Sequence, residues 1–138
     1  TKMEAAATTE ELKDAFEDHQ LQTKKHVTRL EKVFKLIGEQ PEKKECKAIV
    51  GIIKEGEEII KSTEEGSMTR DVGLIIAAQK VEHYEIATYG TLAAYAKILQ
   101  ESEALKILLQ TLEEEKKCDE LLTQLADTNL NSKAAKEK

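Results

Sequence analysis

The sequence predicts an all-α protein that folds as a single bundle of long helices. Its 138 residues suit one domain. Charged residues make up 35% of the chain and aromatic residues only 4%, with one Pro, six Gly and no Trp. Ala, Leu, Glu and Lys, which are strong helix formers, dominate the composition. Because turn-forming residues are so few, a β fold of many short strands is excluded.

The first long helix is predicted over residues 8–37. Thr8 and Glu11 have the spacing of a capping box, in which each side chain bonds a free backbone N–H of the first turn. Apolar residues then recur at alternating intervals of three and four, which is the pattern of one helix face. His19 and His26 stand on this face where a plain core would have Leu.

A shorter helix is predicted over residues 43–62, after a loop that contains Pro41. Gly51 and Gly56 either weaken this helix or let a neighbouring backbone approach closely. A polar turn around Gly66 separates this helix from the next.

Two further long helices are predicted over residues 69–100 and 102–127, with Thr69 and Ser102 as their caps. Polar residues interrupt both apolar stripes near the middle. They are Gln79, Glu82 and His83 on the first of the two helices, and Glu115 and Asp119 on the second. A single domain therefore spans residues 1–130, and residues 131–138 are expected to form a frayed polar tail.

These interruptions indicate a site inside the bundle. Burying an unpaired carboxylate is costly, so native chains do it where a partner or a metal compensates. Inward Glu and His side chains that converge from facing helices are typical of carboxylate-bridged dimetal centres. Iron and manganese suit carboxylate and imidazole ligands.

Structural alternatives remain open for each of these residues. His19 and His26 could be hydrogen-bonded core histidines, and Glu82 could pair with a Lys of another helix. Glu115 stands in a run of three acidic residues, and such runs usually face solvent. Tyr89 is the tyrosine expected in the core, where packing is its default role.

Charge, hydropathy and cysteine content limit the partners and the compartment. The net charge of −6 argues against nucleic-acid binding, which needs clustered Lys and Arg. No apolar run approaches the ~20 residues of a membrane span, and no signal-peptide pattern is present. The expectation is a soluble cytoplasmic protein with Cys46 and Cys118 as reduced thiols. Cys118 lies off the apolar stripe and is expected at the surface or at an interface.

The segment AAQKVEHYEIATYGTL, residues 77–92, resembles the signature of the YciE/YciF family of bacterial stress proteins, in the ferritin-like superfamily. Further similarity follows in the same order along the chain, at residues 3–6, 9–12, 16–19, Thr23, 29–30, Phe34, 111–116, Asp119 and Leu122. The resemblance implies a ferritin-like four-helix bundle with a crossover helix, similar to rubrerythrin. It also implies a homodimer.

The resemblance further implies a dinuclear iron or manganese centre inside the bundle. Glu82 and Glu115 would be its core carboxylate ligands, and His83, Glu85 and Asp119 would be ligands or their immediate neighbours. Polar residues expected beside the ligands are His19, Gln79 and Tyr89.

The chain departs from the family pattern in two places. Family members begin with another helix, which carries a Tyr and a Glu expected at the site. Here Thr1 falls near the end of that helix, so an exposed apolar groove is expected in the bundle. The family usually has Glu where this chain has Gln22, which is a poorer ligand for a hard cation. His26, one turn away, is expected to compensate as a ligand.

Two functions are consistent with these features. The first is a ferritin-like oxidoreductase in which a di-iron or manganese centre reacts with peroxide or oxygen and oxidises Fe(II) during stress. The alternative is a metal-free helical dimer with a structural or partner-binding role. Storage of iron in a large cage is disfavoured, because no cage-forming surface or mineral-nucleating patch is evident.

Overall fold

The computed structural model describes residues 2–137, which fold into helices and contain no strand. The helices are α1 (Lys2–Ala6), α2 (Glu10–Leu36), α3 (Lys47–Ser62), α4 (Met68–Ile98) and α5 (Ser102–Leu125). A π-helical turn over Ala126–Leu130 then connects α5 to α6 (Asn131–Ala134). The predicted all-α class is confirmed.

Helices α2, α3, α4 and α5 form a four-helix bundle in which α5 packs between α2 and α4. Helix α3 packs on the other side of α4, and the short α1 contacts both α2 and α3. A three-residue connection, residues 99–101, joins α4 to α5, so these two helices form a hairpin. None of the helices within residues 2–137 combines the length and hydrophobicity that a membrane span requires.

Two apolar clusters form the core and leave a polar layer between them. Leu12, Leu74 and Leu122 are among the fully buried members of one cluster. Tyr89 and Leu108 belong to the other. Between these clusters lie four buried polar or charged side chains. They are Glu82 of α4, Thr111 and Glu115 of α5, and His26 of α2.

The start of α2 differs from the predicted capping box. The helix begins at Glu10, and the Thr9 side chain makes no capping bond to it. Instead, the buried Asp71 carboxylate of α4 accepts the backbone N–H groups of Thr8 and Thr9, at 2.6 and 2.9 Å. It also accepts the Thr9 hydroxyl at 2.7 Å. A side chain of the neighbouring helix α4 therefore accepts hydrogen bonds from the backbone that precedes α2. The spacing of residues at the start of α2 could not reveal this contact.

The starts of α4 and α5 also differ from the predicted caps. Ser67, and not Thr69, caps α4, and its hydroxyl accepts the Arg70 N–H at 3.1 Å. Glu101 holds the cap position of α5, so Ser102 is already helical. Thr69 bonds elsewhere, because its hydroxyl donates to the Glu137 carboxylate at 2.7 Å.

Helical structure continues into the segment that the sequence predicts as a polar tail. Residues 131–134 are helical, and Leu130 is buried in the core. The Glu137 carboxylate accepts the N–H groups of Met68 and Thr69 at the first turn of α4. A carboxylate is favourable there, because free N–H groups and the helix dipole both attract negative charge. Lys138 lies outside the described residues.

Close approach of α3 to α4 depends on Gly73 and not on the two glycines of α3. A Cβ at Gly51 would meet no atom within 4 Å, and one at Gly56 would lie 3.5 Å from the Ala77 Cβ, an ordinary contact. A Cβ at Gly73 would lie only 2.6 Å from the Cγ2 of Ile59. The glycine of α4 therefore makes room for the branched side chain of α3.

Replacement of Gly73 by Ala is expected to lower the free energy of unfolding by up to about 2 kcal/mol. Overpacking costs about 1–3 kcal/mol, and the roughly 1 kcal/mol that Ala gains over Gly in a helix offsets part of that cost. Urea denaturation measures the change. Gly51→Ala is the matched control, and it should stabilise the protein by about 0.5–1 kcal/mol. An equal gain in both variants would contradict the steric role of Gly73.

Candidate metal centre

Three helices bring four donor side chains together in the polar layer of the bundle. Glu82 of α4 and Glu115 of α5 are 1% and 0% exposed, so both carboxylates are buried. Single donor atoms of His19, Glu82, Glu85 and Glu115 all lie within 4.8 Å of one another. His19 comes from α2, and its Nε2 lies 3.2 Å from Oε1 of Glu82.

Several polar atoms of this group have no hydrogen-bond partner within the described part of the chain. They are Nδ1 of His19, Oε2 of Glu82 and Oε2 of Glu115. Such burial is costly unless a cation or a proton neutralises the charge. Carboxylate oxygens with one imidazole nitrogen form a donor set that iron and manganese accept. The residues present therefore fit a metal centre.

The same burial changes the proton affinity of the group. Burial and the nearby charge of Glu115 raise the pKa of Glu82 to about 9. Burial and the charge of Glu85 raise the pKa of Glu115 to about 7. Burial also raises the pKa of Glu85 and lowers the pKa of His19. Without a cation Glu82 therefore holds a proton at neutral pH, and a divalent cation would displace it.

His26 lies beside this donor group and contacts it at one point. Its ring is buried, and its Nδ1 lies 2.9 Å from Oε1 of Glu115. Its Nε2 lies 2.7 Å from a carboxylate oxygen of Glu114. Arg29 donates two hydrogen bonds to that carboxylate, at 2.6 and 2.8 Å. This guanidinium is the main reason that the pKa of Glu114 falls to about 2.

Glu114 and Arg29 were missed in the sequence analysis. Arg29 follows His26 by three residues, so both side chains reach the same side of α2. Glu114 is adjacent to Glu115, and only the structure shows that it turns toward α2. The pair keeps a negative charge next to His26 and thereby fixes the ring against Glu115.

Asp119 and His83 lie outside the group of four donors. Nε2 of His83 is 3.2 Å from Oδ2 of Asp119, and the His83 side chain is 70% exposed. The Gln79 amide donates to Oδ1 of Asp119 at 3.1 Å and to the Thr123 hydroxyl at 2.8 Å. Since neighbouring residues on a helix point about 100° apart, His83 cannot share the inward direction of Glu82.

Gln22 and Tyr89 are the last two of the site residues predicted from the sequence. Gln22 is half-buried on α2, between His19 and His26 in sequence. The Tyr89 ring is buried and stands edge-on to His26, with ring centroids 6.3 Å apart. Burial and the charge of Glu85 raise the pKa of Tyr89 to about 12, so its phenol stays protonated.

An open groove of about 480 Å³ leads to one side of the centre. His19, Glu82 and Cys118 border it, together with apolar side chains that include Phe16 and Ala78. Cys118 is half-buried. Its sulfur and a carboxylate oxygen of Glu82 lie within 4.8 Å of each other.

The bundle and its buried carboxylate layer define a ferritin-like helical protein. The chain belongs to the family described as "domain of unknown function (DUF892)", whose sequence profile matches residues 1–135. Protein YciF of Escherichia coli K12 is 46% identical over 134 residues, which are 96% of this chain and 80% of YciF. The resemblance to the YciE/YciF family is thus confirmed.

Two solved structures share the fold. The crystal structure of the E. coli stress protein YciF superposes with a TM-score of 0.90 at 44% identity, covering 96% of this chain and 83% of that one. YcfI from Rhodopseudomonas palustris, which is proposed to be a structural protein, superposes with a TM-score of 0.84 at 38% identity. That match covers 88% of this chain and 77% of YcfI.

Proposed function

We propose that this protein is a stress-response oxidoreductase whose bundle holds two iron or manganese ions and oxidises Fe(II) with peroxide or oxygen. The observation that carries the proposal is the pair of buried carboxylates, Glu82 and Glu115, each with one oxygen, Oε2, that lacks a hydrogen-bond partner in the described chain. A bundle core that only packed would place apolar side chains there. The similarity to a stress protein supports a role in the stress response. The proposed compartment is the cytoplasm.

The chain's own residues would hold the cations and shape their surroundings. Glu82, Glu115, Glu85 and His19 would supply the ligands, and bound iron would supply the electron transfer to the oxidant. The apolar clusters on either side would exclude bulk water. His26, held by Glu114, would act as a ligand or would orient Glu115.

Wild-type protein from a culture supplemented with iron and manganese is expected to contain about two metal ions per complete site. Glu115→Gln should remove most of the metal and slow peroxide-dependent Fe(II) oxidation by more than about 100-fold. Loss of an outer hydrogen-bond partner alone costs roughly 10–100-fold. Elemental analysis and the absorbance of ferric product measure the two effects.

Glu113→Gln is the matched control, since Glu113 is exposed and adjacent in the same acidic run. It should keep both metal content and Fe(II) oxidation. A wild-type protein without iron or manganese, or a Glu115→Gln protein that oxidises Fe(II) at the wild-type rate, would refute the proposal.

The second candidate is a metal-free helical dimer with a structural or partner-binding role. The structural role proposed for YcfI favours it. Its expected metal content is zero under the same culture conditions, so one elemental analysis separates the two functions. If no metal is found, sedimentation of the purified protein tests the dimer.

A further inference from the structure

A second group of donors overlaps the carboxylate centre on the side of the groove. Donor atoms of His19, Glu82 and Cys118 all lie within 4.8 Å of one another. They come from α2, α4 and α5 respectively. Cys118 does not belong to the group that contains Glu85 and Glu115. The thiol therefore defines a separate combination of ligands.

Two features indicate that this group can receive a cation. Oε2 of Glu82 and Nδ1 of His19 are buried and have no hydrogen-bond partner in the described chain. All three residues also border the groove of about 480 Å³, which offers an access route and room for a solvent ligand. An enclosed group of donors would provide neither.

The chemistry of the donors selects the cation. One sulfur, one imidazole nitrogen and one carboxylate oxygen are ligands that Zn²⁺ accepts, and catalytic zinc sites hold three protein ligands with water in the fourth position. Thiolate is a soft ligand, which disfavours the hard cations that prefer oxygen alone. Cobalt(II) accepts the same mixture of ligands and reports thiolate binding by its absorption.

We propose that His19, Glu82 and Cys118 bind a single zinc-like divalent cation at the groove. On binding, the Cys118 thiol releases its proton to solvent and a sulfur–metal bond forms. The site shares His19 and Glu82 with the proposed carboxylate centre, so the two kinds of cation would compete for them, and only Cys118 is specific to it. The proposal does not rest on iron oxidation, because its test detects a bond to the Cys118 sulfur. It assigns a ligand role to a cysteine that the proposed oxidation does not use.

Titration of the reduced full-length protein with Co²⁺ under anaerobic conditions tests the site. The expected result is a near-ultraviolet sulfur-to-cobalt charge-transfer band that saturates at one equivalent of metal. Added Zn²⁺ should abolish the band by displacing the cobalt. Absence of the band from the wild-type protein would overturn the proposal.

Two cysteine variants provide matched comparisons. Cys118→Ser should lose the band and weaken Co²⁺ binding more than the roughly 10–100-fold that loss of an outer partner causes. Cys46→Ser should keep the band, because Cys46 lies at the start of α3 and contacts Tyr84 at 2.9 Å. A band that survives in Cys118→Ser, or disappears in Cys46→Ser, would refute the assignment.

Two further measurements keep the result unambiguous. Far-ultraviolet circular dichroism checks that each variant is folded, and Cys118→Ala provides a second replacement if the serine variant unfolds. Glu115→Gln should retain the cobalt band while it loses Fe(II) oxidation. Failure of the carboxylate centre is thereby distinguished from failure of the thiolate site.

Discussion

Replacement of Asp71 by Ala is expected to lower the free energy of unfolding by about 3–5 kcal/mol, because hydrogen bonds to a charged group contribute roughly 1.5–3 kcal/mol each. The Asp71 carboxylate is 0% exposed and accepts three hydrogen bonds from Thr8 and Thr9. The variant would leave these donors without their acceptor. Urea denaturation at neutral pH measures the loss, which is large for a domain of this size.

Asp14→Ala is the control for removal of an Asp as such. Asp14 is exposed on α2, and its loss should change stability by no more than about 0.5 kcal/mol. Asp71→Asn should fall between the two, because the amide retains one oxygen acceptor but no charge. If Asp71→Ala costs less than about 1 kcal/mol, the bonds to the start of α2 contribute no more than one ordinary hydrogen bond.

The metal-free protein is expected to lose stability between pH 7 and pH 9 because Glu82 must then ionise inside the bundle. Its folded-state pKa is about 9, against 4.5 for the ordinary side chain. A raised carboxyl pKa contributes stability that is complete below the unfolded pKa and is lost as the pH rises to the folded pKa. Glu115, with a pKa of about 7, completes its own ionisation in the lower half of this range, and the lowered pKa of His19 keeps that ring neutral throughout.

The comparison of wild type with Glu82→Gln isolates this effect. Relative to the variant, wild-type stability should fall by up to about 1.4 kcal/mol for each pH unit in this range. Urea denaturation in the presence of a chelator measures both proteins at pH 7, 8 and 9. Glu17→Gln, which changes an exposed carboxylate of α2, should follow the wild-type pH dependence. Parallel curves for wild type and Glu82→Gln would show that Glu82 ionises freely in the folded protein.

Added Mn²⁺ should flatten the wild-type curve if the carboxylates bind it. A ligand at 100 times its dissociation constant stabilises the folded state by about 2.7 kcal/mol. Because the cation prefers ionised carboxylates, its contribution should grow toward pH 9. Identical curves with and without Mn²⁺ would argue for the metal-free alternative.

Much of the bundle follows from the sequence, because helix formation and helix burial leave a local signature. An α-helix turns once every 3.6 residues, so apolar residues at alternating intervals of three and four lie on one face. This pattern identifies the buried face. The same phase distinguishes Glu115 from Glu113 in the acidic run and places Glu82 inward on α4. Both carboxylates are indeed buried.

Contacts between helices are harder to predict from the sequence than the helices themselves. Thr8 and Glu11 have the spacing of a capping box, yet Asp71 of another helix bonds the backbone before α2. Spacing within one helix describes its own first turn and carries no information about which side chain of α4 lies beside it. Glu137 at the start of α4 is a second contact of this kind, across 69 positions of the sequence.

The sequence by itself determined the all-α class, the inward direction of Glu82 and Glu115, and the family to which the chain belongs. Only the tertiary structure decided which side chains meet: His19 with Glu82 and Cys118, and His26 with Glu114. The physical reason is that periodicity defines the direction of a side chain about its own helix axis. Contact also requires the relative rotation and vertical register of two helices, which the packing of the whole core sets.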